Sequence, residues 1–64
     1  MNIYEYKALL DSDKIFRDSE RGRLILLRNK SHNNKTLQDL CNLVLTYIYD
    51  LDWKAVFNQN NKNI

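Results

Sequence analysis

Residues 35–57, KTLQDLCNLVLTYIYDLDWKAVF, decide the fold because fourteen of these twenty-three residues are apolar or aromatic. One set recurs at the three- and four-residue spacing of a single helical face. Its members are Leu37, Leu40, Cys41, Val44, Tyr47, Ile48 and Leu51. Thr36 is a favourable N-cap and Asp39 suits the positive first turn, so the pattern predicts a helix over 36–57. A second N-cap at Asp52 would allow a kink near the end of that helix.

The same helix carries more apolar surface than one face requires. Placing its residues about 100° apart around the axis reveals a second apolar strip beside the predicted core face. This second strip consists of Leu45, Tyr49 and Val56, and Trp53 flanks it. A core of two or three short helices covers one broad face of its longest helix, so we expect part of the strip to be exposed in a monomer. Either residues 1–10 fold over it, or a second chain does, with Tyr49 and Trp53 as aromatic anchors.

Two further helices are predicted, over residues 3–10 and 13–29. The chain contains no proline and only one glycine, Gly22, so little in the sequence breaks a helix. Ser12 or Asp13 is suitable as the N-cap of the second helix. The predicted fold is therefore all-α, a small hairpin or bundle of two to three helices.

The middle segment admits a second interpretation. As a helix, the segment carries the small residues Ser19 and Gly22 on the same side as its apolar residues. Small residues there would permit close contact with another helix. That side holds Ile15, Phe16, Leu26 and Leu27. As strands, 14–17 and 23–28 would form a β-hairpin packed on the C-terminal helix, and the fold would be α+β. Periodicity alone does not separate the two in so short an apolar run, and we favour the helix.

Length limits the chain of 64 residues to one domain, which we place at residues 1–57, with 58–64 as a disordered tail. A domain of this size buries only about 60% of the surface that its unfolded chain exposes. A disulfide within the chain is excluded because Cys41 is the only cysteine. A structural zinc site is excluded because His32 is the only histidine and four ligands are needed. A second subunit or a partner is the stabilising device that remains.

Cysteine usage and hydropathy bear on location. A single cysteine in an apolar setting is typical of a reducing compartment, so we expect a cytoplasmic protein. The first residues lack the pattern of a secretory leader, and the longest purely apolar run is four residues, 24–27. We therefore expect no membrane association.

The middle of the chain is basic. Residues 14–35 hold seven Lys or Arg and two acidic residues. On a helix, four of these cations fall on one stripe, and they are Lys14, Arg17, Arg21 and Arg28. Such a stripe, within segment 14–30, could follow a nucleic-acid backbone or dock on an acidic partner. The simpler interpretation is a solvated face in which Asp18 pairs with Lys14 and Arg21 along the helix.

No residue set predicts catalysis, a metal site, a cofactor or a small-molecule substrate. His32 lies in a predicted loop, whereas Cys41 lies on the core face, where a thiol is usually inert. We therefore expect a non-enzymatic interaction or regulatory protein that forms a homodimer or binds a partner protein through the second strip. One alternative is a nucleic-acid-binding regulator that uses the basic stripe. Another, compatible with the size and composition, is an inhibitor-type small protein of a mobile element.

Overall fold

The computed structural model describes the backbone of residues 1–61 and the side chains as far as residue 58. Within these residues the chain forms three helices, α1 (Ile3–Ser12), α2 (Lys14–Lys30) and α3 (Lys35–Asn61), and no strand. The all-α prediction is confirmed and the β-hairpin alternative is wrong. α3 ends four residues beyond the predicted end at 57, so the first part of the expected tail is helical. The last part of that tail, 62–64, lies outside the described residues.

Asp13 alone joins α1 to α2 and serves both helices. Its backbone N–H donates to the carbonyl of Leu9 at 2.9 Å, which ends α1. Its carboxylate accepts from the N–H of Phe16 at 3.0 Å, which caps α2 as one of the two predicted caps. Because this single linking residue is extended, with φ −115° and ψ 101°, the chain turns and α1 folds back along α2.

α3 begins one residue earlier than predicted, at Lys35, because Asn34 and not Thr36 caps it. The side-chain oxygen of Asn34 accepts from the N–H of Leu37 at 3.0 Å. The helix also continues through Asp52, which does not cap a separate last turn. The reason is that the Asp52 carboxylate accepts hydrogen bonds from α2 instead of from the backbone of its own helix.

α2 and α3 pack antiparallel, as predicted, with Arg17 against Asp52 at one end and Arg28 hydrogen-bonded to Asn42 at the other. The buried apolar core between the helices is small. It consists of Leu10, Leu24, Cys41, Leu45 and Ile48. The core contains side chains of all three helices, so α1 completes the bundle.

The buried side of α2 differs from the prediction. Ile15 and Leu26, expected in the core, are exposed, whereas Arg17 is only 7% exposed. Gly22, expected at a close helix contact, faces open space, since a Cβ added there would meet no atom within 4 Å. The cause is the burial of Arg17. With Arg17 on the inner side of α2, the side of the helix that carries Ile15 and Leu26 faces water.

The Arg17 guanidinium joins the three helices. Its Nε donates to Asp52 Oδ1 of α3 at 2.8 Å, and its Nη1 donates to the Leu10 carbonyl of α1 at 2.8 Å. That carbonyl belongs to the last turn of α1, where helices lack internal donors and favour a cation. Arg21 binds the other oxygen of Asp52 at 2.9 Å, but its side chain is 35% exposed. We call this set, Arg17 with Asp52 and the Leu10 carbonyl, the arginine clamp.

α1 is held on its other side by Tyr6, which packs edge-to-face on Phe16 with ring centroids 5.8 Å apart. The Tyr6 hydroxyl donates to the Glu20 carboxylate at 2.8 Å, and Arg23 donates to the same carboxylate. Burial of the Tyr6 ring, followed by the bond to Glu20, raises the pKa of Tyr6 to about 12. The hydroxyl therefore stays protonated and the bond to Glu20 persists through neutral and mildly alkaline pH.

Replacing Arg17 by Ala should lower the free energy of unfolding by about 3 kcal/mol, because it removes one partner of a buried ion pair and uncaps α1. Arg21→Ala is the matched control and should cost less than about 1 kcal/mol, since that side chain is partly exposed and Asp52 keeps Arg17. Urea denaturation followed by circular dichroism measures both. Equal losses would contradict a special role for Arg17.

Gly22→Ala should raise the free energy of unfolding by about 0.5–1 kcal/mol, because alanine favours the helix and its methyl group meets open space. The reverse change at an exposed position of α1, Ala8→Gly, should lower stability by a similar amount. Thermal or urea unfolding measures the pair. A loss of stability in Gly22→Ala would contradict the open space at this face of α2.

Candidate interaction surface

One of the four residues predicted for an exposed strip is not exposed. Leu45 is 1% exposed and belongs to the core, so its assignment to the strip is wrong. The buried line of α3 runs through Cys41, Leu45 and Ile48 to Asp52, because α2 packs on the side from which Arg17 reaches Asp52. The same rotation leaves Leu40, predicted to be core, more than half exposed.

The remaining three residues are exposed, and a fourth joins them. Tyr49, Trp53 and Val56 are 48%, 68% and 51% exposed, and Phe57 is 54% exposed. Their positions, i, i+4, i+7 and i+8, lie on one side of consecutive helical turns. We call these four residues the α3 strip. Sequence reasoning missed Phe57 because the helix was ended there, although its four-residue spacing from Trp53 was the available signal.

The first ten residues do not cover the α3 strip. α1 lies on a different side of α3, where Asp11 accepts from the Tyr47 hydroxyl and the Lys7 ammonium lies 5.5 Å from the centre of the Tyr47 ring. The bond from Tyr47, followed by that from Lys7, holds the pKa of Asp11 below its ordinary value. Tyr4 is itself exposed to water. The alternative in which residues 1–10 fold over the strip is therefore wrong.

The strip is exposed because the last turns of α3 extend past the other helices. Arg17 of α2 lies opposite Asp52 of α3, and α2 begins only three residues before Arg17, at Lys14. Because the helices are antiparallel, the part of α3 that follows Asp52 soon extends beyond the start of α2. The radius of gyration is 13.6 Å, whereas a compact domain of this length is expected to have about 10.7 Å. The chain is accordingly elongated, with principal extents of 48 × 23 × 16 Å.

The predicted basic stripe forms ion pairs and hydrogen bonds within the chain. Arg17 is buried in the arginine clamp, so its expected place on a solvent-facing stripe is wrong. Lys14 donates to Asp18 at 3.0 Å, which lowers the pKa of that carboxyl, and Arg21 lies 3.3 Å from it, as the simpler interpretation expected. Arg28 donates to Asn42 at 3.0 Å. Each of the four cations therefore already has a partner within the chain.

Among the described residues, clefts lie on two sides of α3. A charged one of about 410 Å³ is bordered by side chains of α2 and α3, which are Lys14, Arg17, Asp18, Arg21, Asp52, Ala55 and Val56. An apolar groove of about 390 Å³ lies between α1 and α3. Its lining residues are Ile3, Tyr6, Lys7, Leu10, Leu43, Val44 and Tyr47. The sequence did not predict this groove because it depends on where α1 crosses α3.

Groups with catalytic or ligating chemistry are dispersed. His32 is exposed in the turn before α3, whereas Cys41 is buried in the core. Residues 1–61 contain no group of three or more His, Cys, Asp or Glu side chains placed to hold a metal ion. None of the three described helices is both long and apolar enough to cross a membrane. The α3 strip is thus the most distinctive surface of the described residues.

No protein-family model, no curated protein and no solved structure matches this chain.

Proposed function

We propose that this is a small, non-enzymatic interaction or regulatory protein that binds another protein chain through the α3 strip. The observation that carries the proposal is the contiguity of Tyr49, Trp53, Val56 and Phe57 on one side of a helix end. Scattered exposed apolar residues are ordinary, whereas a contiguous set of large ones is typical of an interaction surface. The partner is a second copy of the chain or a different protein.

The energetics favour such a role. A large apolar side chain left in water forgoes about 1.5–3 kcal/mol that burial would contribute. Tyr49 and Trp53 are of the residue types that dominate binding energy in protein interfaces. The spacing of the strip is also that of helices that lay one apolar face into the groove of another protein. Contact with a protein chain would therefore recover stability that a 64-residue domain lacks.

Two further elements of the proposal rest on the chain itself. The unpaired thiol of Cys41 is compatible with a reducing compartment, and we propose a cytoplasmic location. Nucleic-acid binding by the basic stripe receives less support, because Arg17 is buried and the other three cations are engaged by Asp18, Asp52 and Asn42. Releasing them toward phosphate would break those contacts.

Photo-crosslinking tests the proposal. A photoreactive phenylalanine analogue replaces Tyr49 in one variant and Tyr4, an exposed tyrosine of α1, in the matched control. We expect position 49 to crosslink to a protein chain, either a second copy or a partner, at least about tenfold more than position 4, as an energetically dominant site would. Equal yields from both positions, or crosslinks only to nucleic acid, would contradict it.

A second substitution separates binding from folding. Trp53→Ser should reduce crosslinking from position 49 without changing the helical circular dichroism, because Trp53 is mostly exposed. Leu45→Ser should instead destabilise the fold by about 3 kcal/mol or more, since it opens the core and buries a hydroxyl. If Trp53→Ser also unfolded the protein, the strip would be part of the fold and not a free surface.

A further inference from the structure

We propose that the α3 strip binds the α3 strip of a second copy, with the two helices antiparallel about a two-fold axis near Trp53. This inference rests on the proposed function and specifies its partner. Three observations support it: the amount of surplus surface, the neutrality and symmetry of the strip, and the charges beside it.

The surplus surface matches one side of an interface. The accessible surface of the chain is 5174 Å². A compact monomer of the same mass is expected to expose about 4300 Å², so the surplus is roughly 850 Å². One partner in a standard protein interface buries about 800 Å². The α3 strip contributes to this surplus, because each of its four side chains is about half or more exposed at the projecting end of the helix.

The strip is self-complementary. Tyr49 and Phe57 lie four residues before and four residues after Trp53, so a two-fold axis at Trp53 places Tyr49 of each copy against Phe57 of the other. The two Trp53 rings would meet at the axis in an offset or edge-to-face arrangement. All four strip residues are uncharged, so no like charges meet at the centre of the contact.

The charges beside the strip select the antiparallel orientation. Asp50 and Lys54 are exposed and lie 3.0 Å apart within one chain. In an antiparallel pair centred near Trp53, Asp50 of each copy lies alongside Lys54 of the other, and this produces two crossed ion pairs. In a parallel pair the same flank of each helix lies on opposite sides of the contact, so Asp50 of one copy and Lys54 of the other are far apart and the crossed pairs do not form. Electrostatics therefore favour the antiparallel form.

Sedimentation equilibrium from micromolar to millimolar concentration should show a reversible monomer–dimer equilibrium. Asp50→Lys and Lys54→Asp should each weaken the dimer about tenfold, because each converts two attractive pairs into repulsive ones. A 1:1 mixture of the two variants should recover the affinity as a heterodimer. Both variants lose the same pair within the chain, so recovery on mixing must come from contacts between chains.

The matched control lies at the other end of the same helix. Lys35 and Asp39 form a pair at 2.9 Å with the same four-residue spacing. Lys35→Asp and Asp39→Lys should leave the dimer unchanged. If these control variants weakened the dimer as much as Asp50→Lys does, the interface would lie elsewhere and the inference would be overturned.

Cysteine crosslinking tests the orientation, since the native Cys41 is buried. A mixture of Tyr49→Cys and Phe57→Cys should form the mixed disulfide in preference to either self-disulfide. Preferred self-disulfides would indicate parallel helices and overturn the inference. Open assemblies larger than a dimer that are lost in Leu43→Ser would overturn it too, because the strip would then occupy the apolar groove of the next copy.

Failure of this inference is distinguishable from failure of the proposed function. A chain that stays monomeric to millimolar concentration, while position 49 crosslinks to a different protein, overturns self-pairing and leaves the proposed function standing. A monomeric chain whose position 49 crosslinks to no protein overturns both.

Discussion

The arginine clamp is the interaction on which the rest of the structure depends. Arg17 of α2 is 7% exposed, and its guanidinium binds a carboxylate of α3 and a carbonyl in the last turn of α1. A chain with a single cysteine has no internal disulfide to fix three helices, and its apolar core contains few residues. A buried ion pair adds little net stability, but its hydrogen-bond geometry is directional. Arg17 thus specifies which side of each helix faces inward.

The exposure of the α3 strip follows from the helix orientation that Arg17 specifies. Once Asp52 faces Arg17, Leu45, which lies about two helical turns earlier on the same side of α3, faces the core. Trp53 and its neighbours then face away from α2, whose first residue, Lys14, lies close to this level of α3. The apolar surface at the end of α3 is therefore a consequence of how the helices are joined, and it gives the molecule its asymmetry. The paired cations of α2 belong to the same arrangement, since Arg21 shares Asp52 with the clamp.

The sequence predicted the helices well and their rotation less well, for a physical reason. Three helices, the antiparallel pairing and the cap at Asp13 follow from periodicity and local hydrogen bonding, which are properties of neighbouring residues. Periodicity treats arginine as a surface residue, so burial of Arg17 was not predicted, and Ile15, Leu26 and Leu45 were assigned to the wrong sides. Tyr49 and Trp53 are exposed, as expected for part of the strip, because the last turns of α3 extend past the other helices. Their role in binding stays a prediction.

Asp13, as the single residue between α1 and α2, couples the local unfolding of these two helices. Because one residue ends α1 and starts α2, no flexible segment allows α1 to unfold while α2 keeps its first turn. Opening α1 also removes the carbonyl that Arg17 binds, so amide hydrogens of α1 and the first half of α2 should exchange with solvent as one cooperative unit. The last turns of α3 have no such neighbour and can open by themselves. Local opening of the native state would then begin at the last turns of α3, and the arginine clamp would open last.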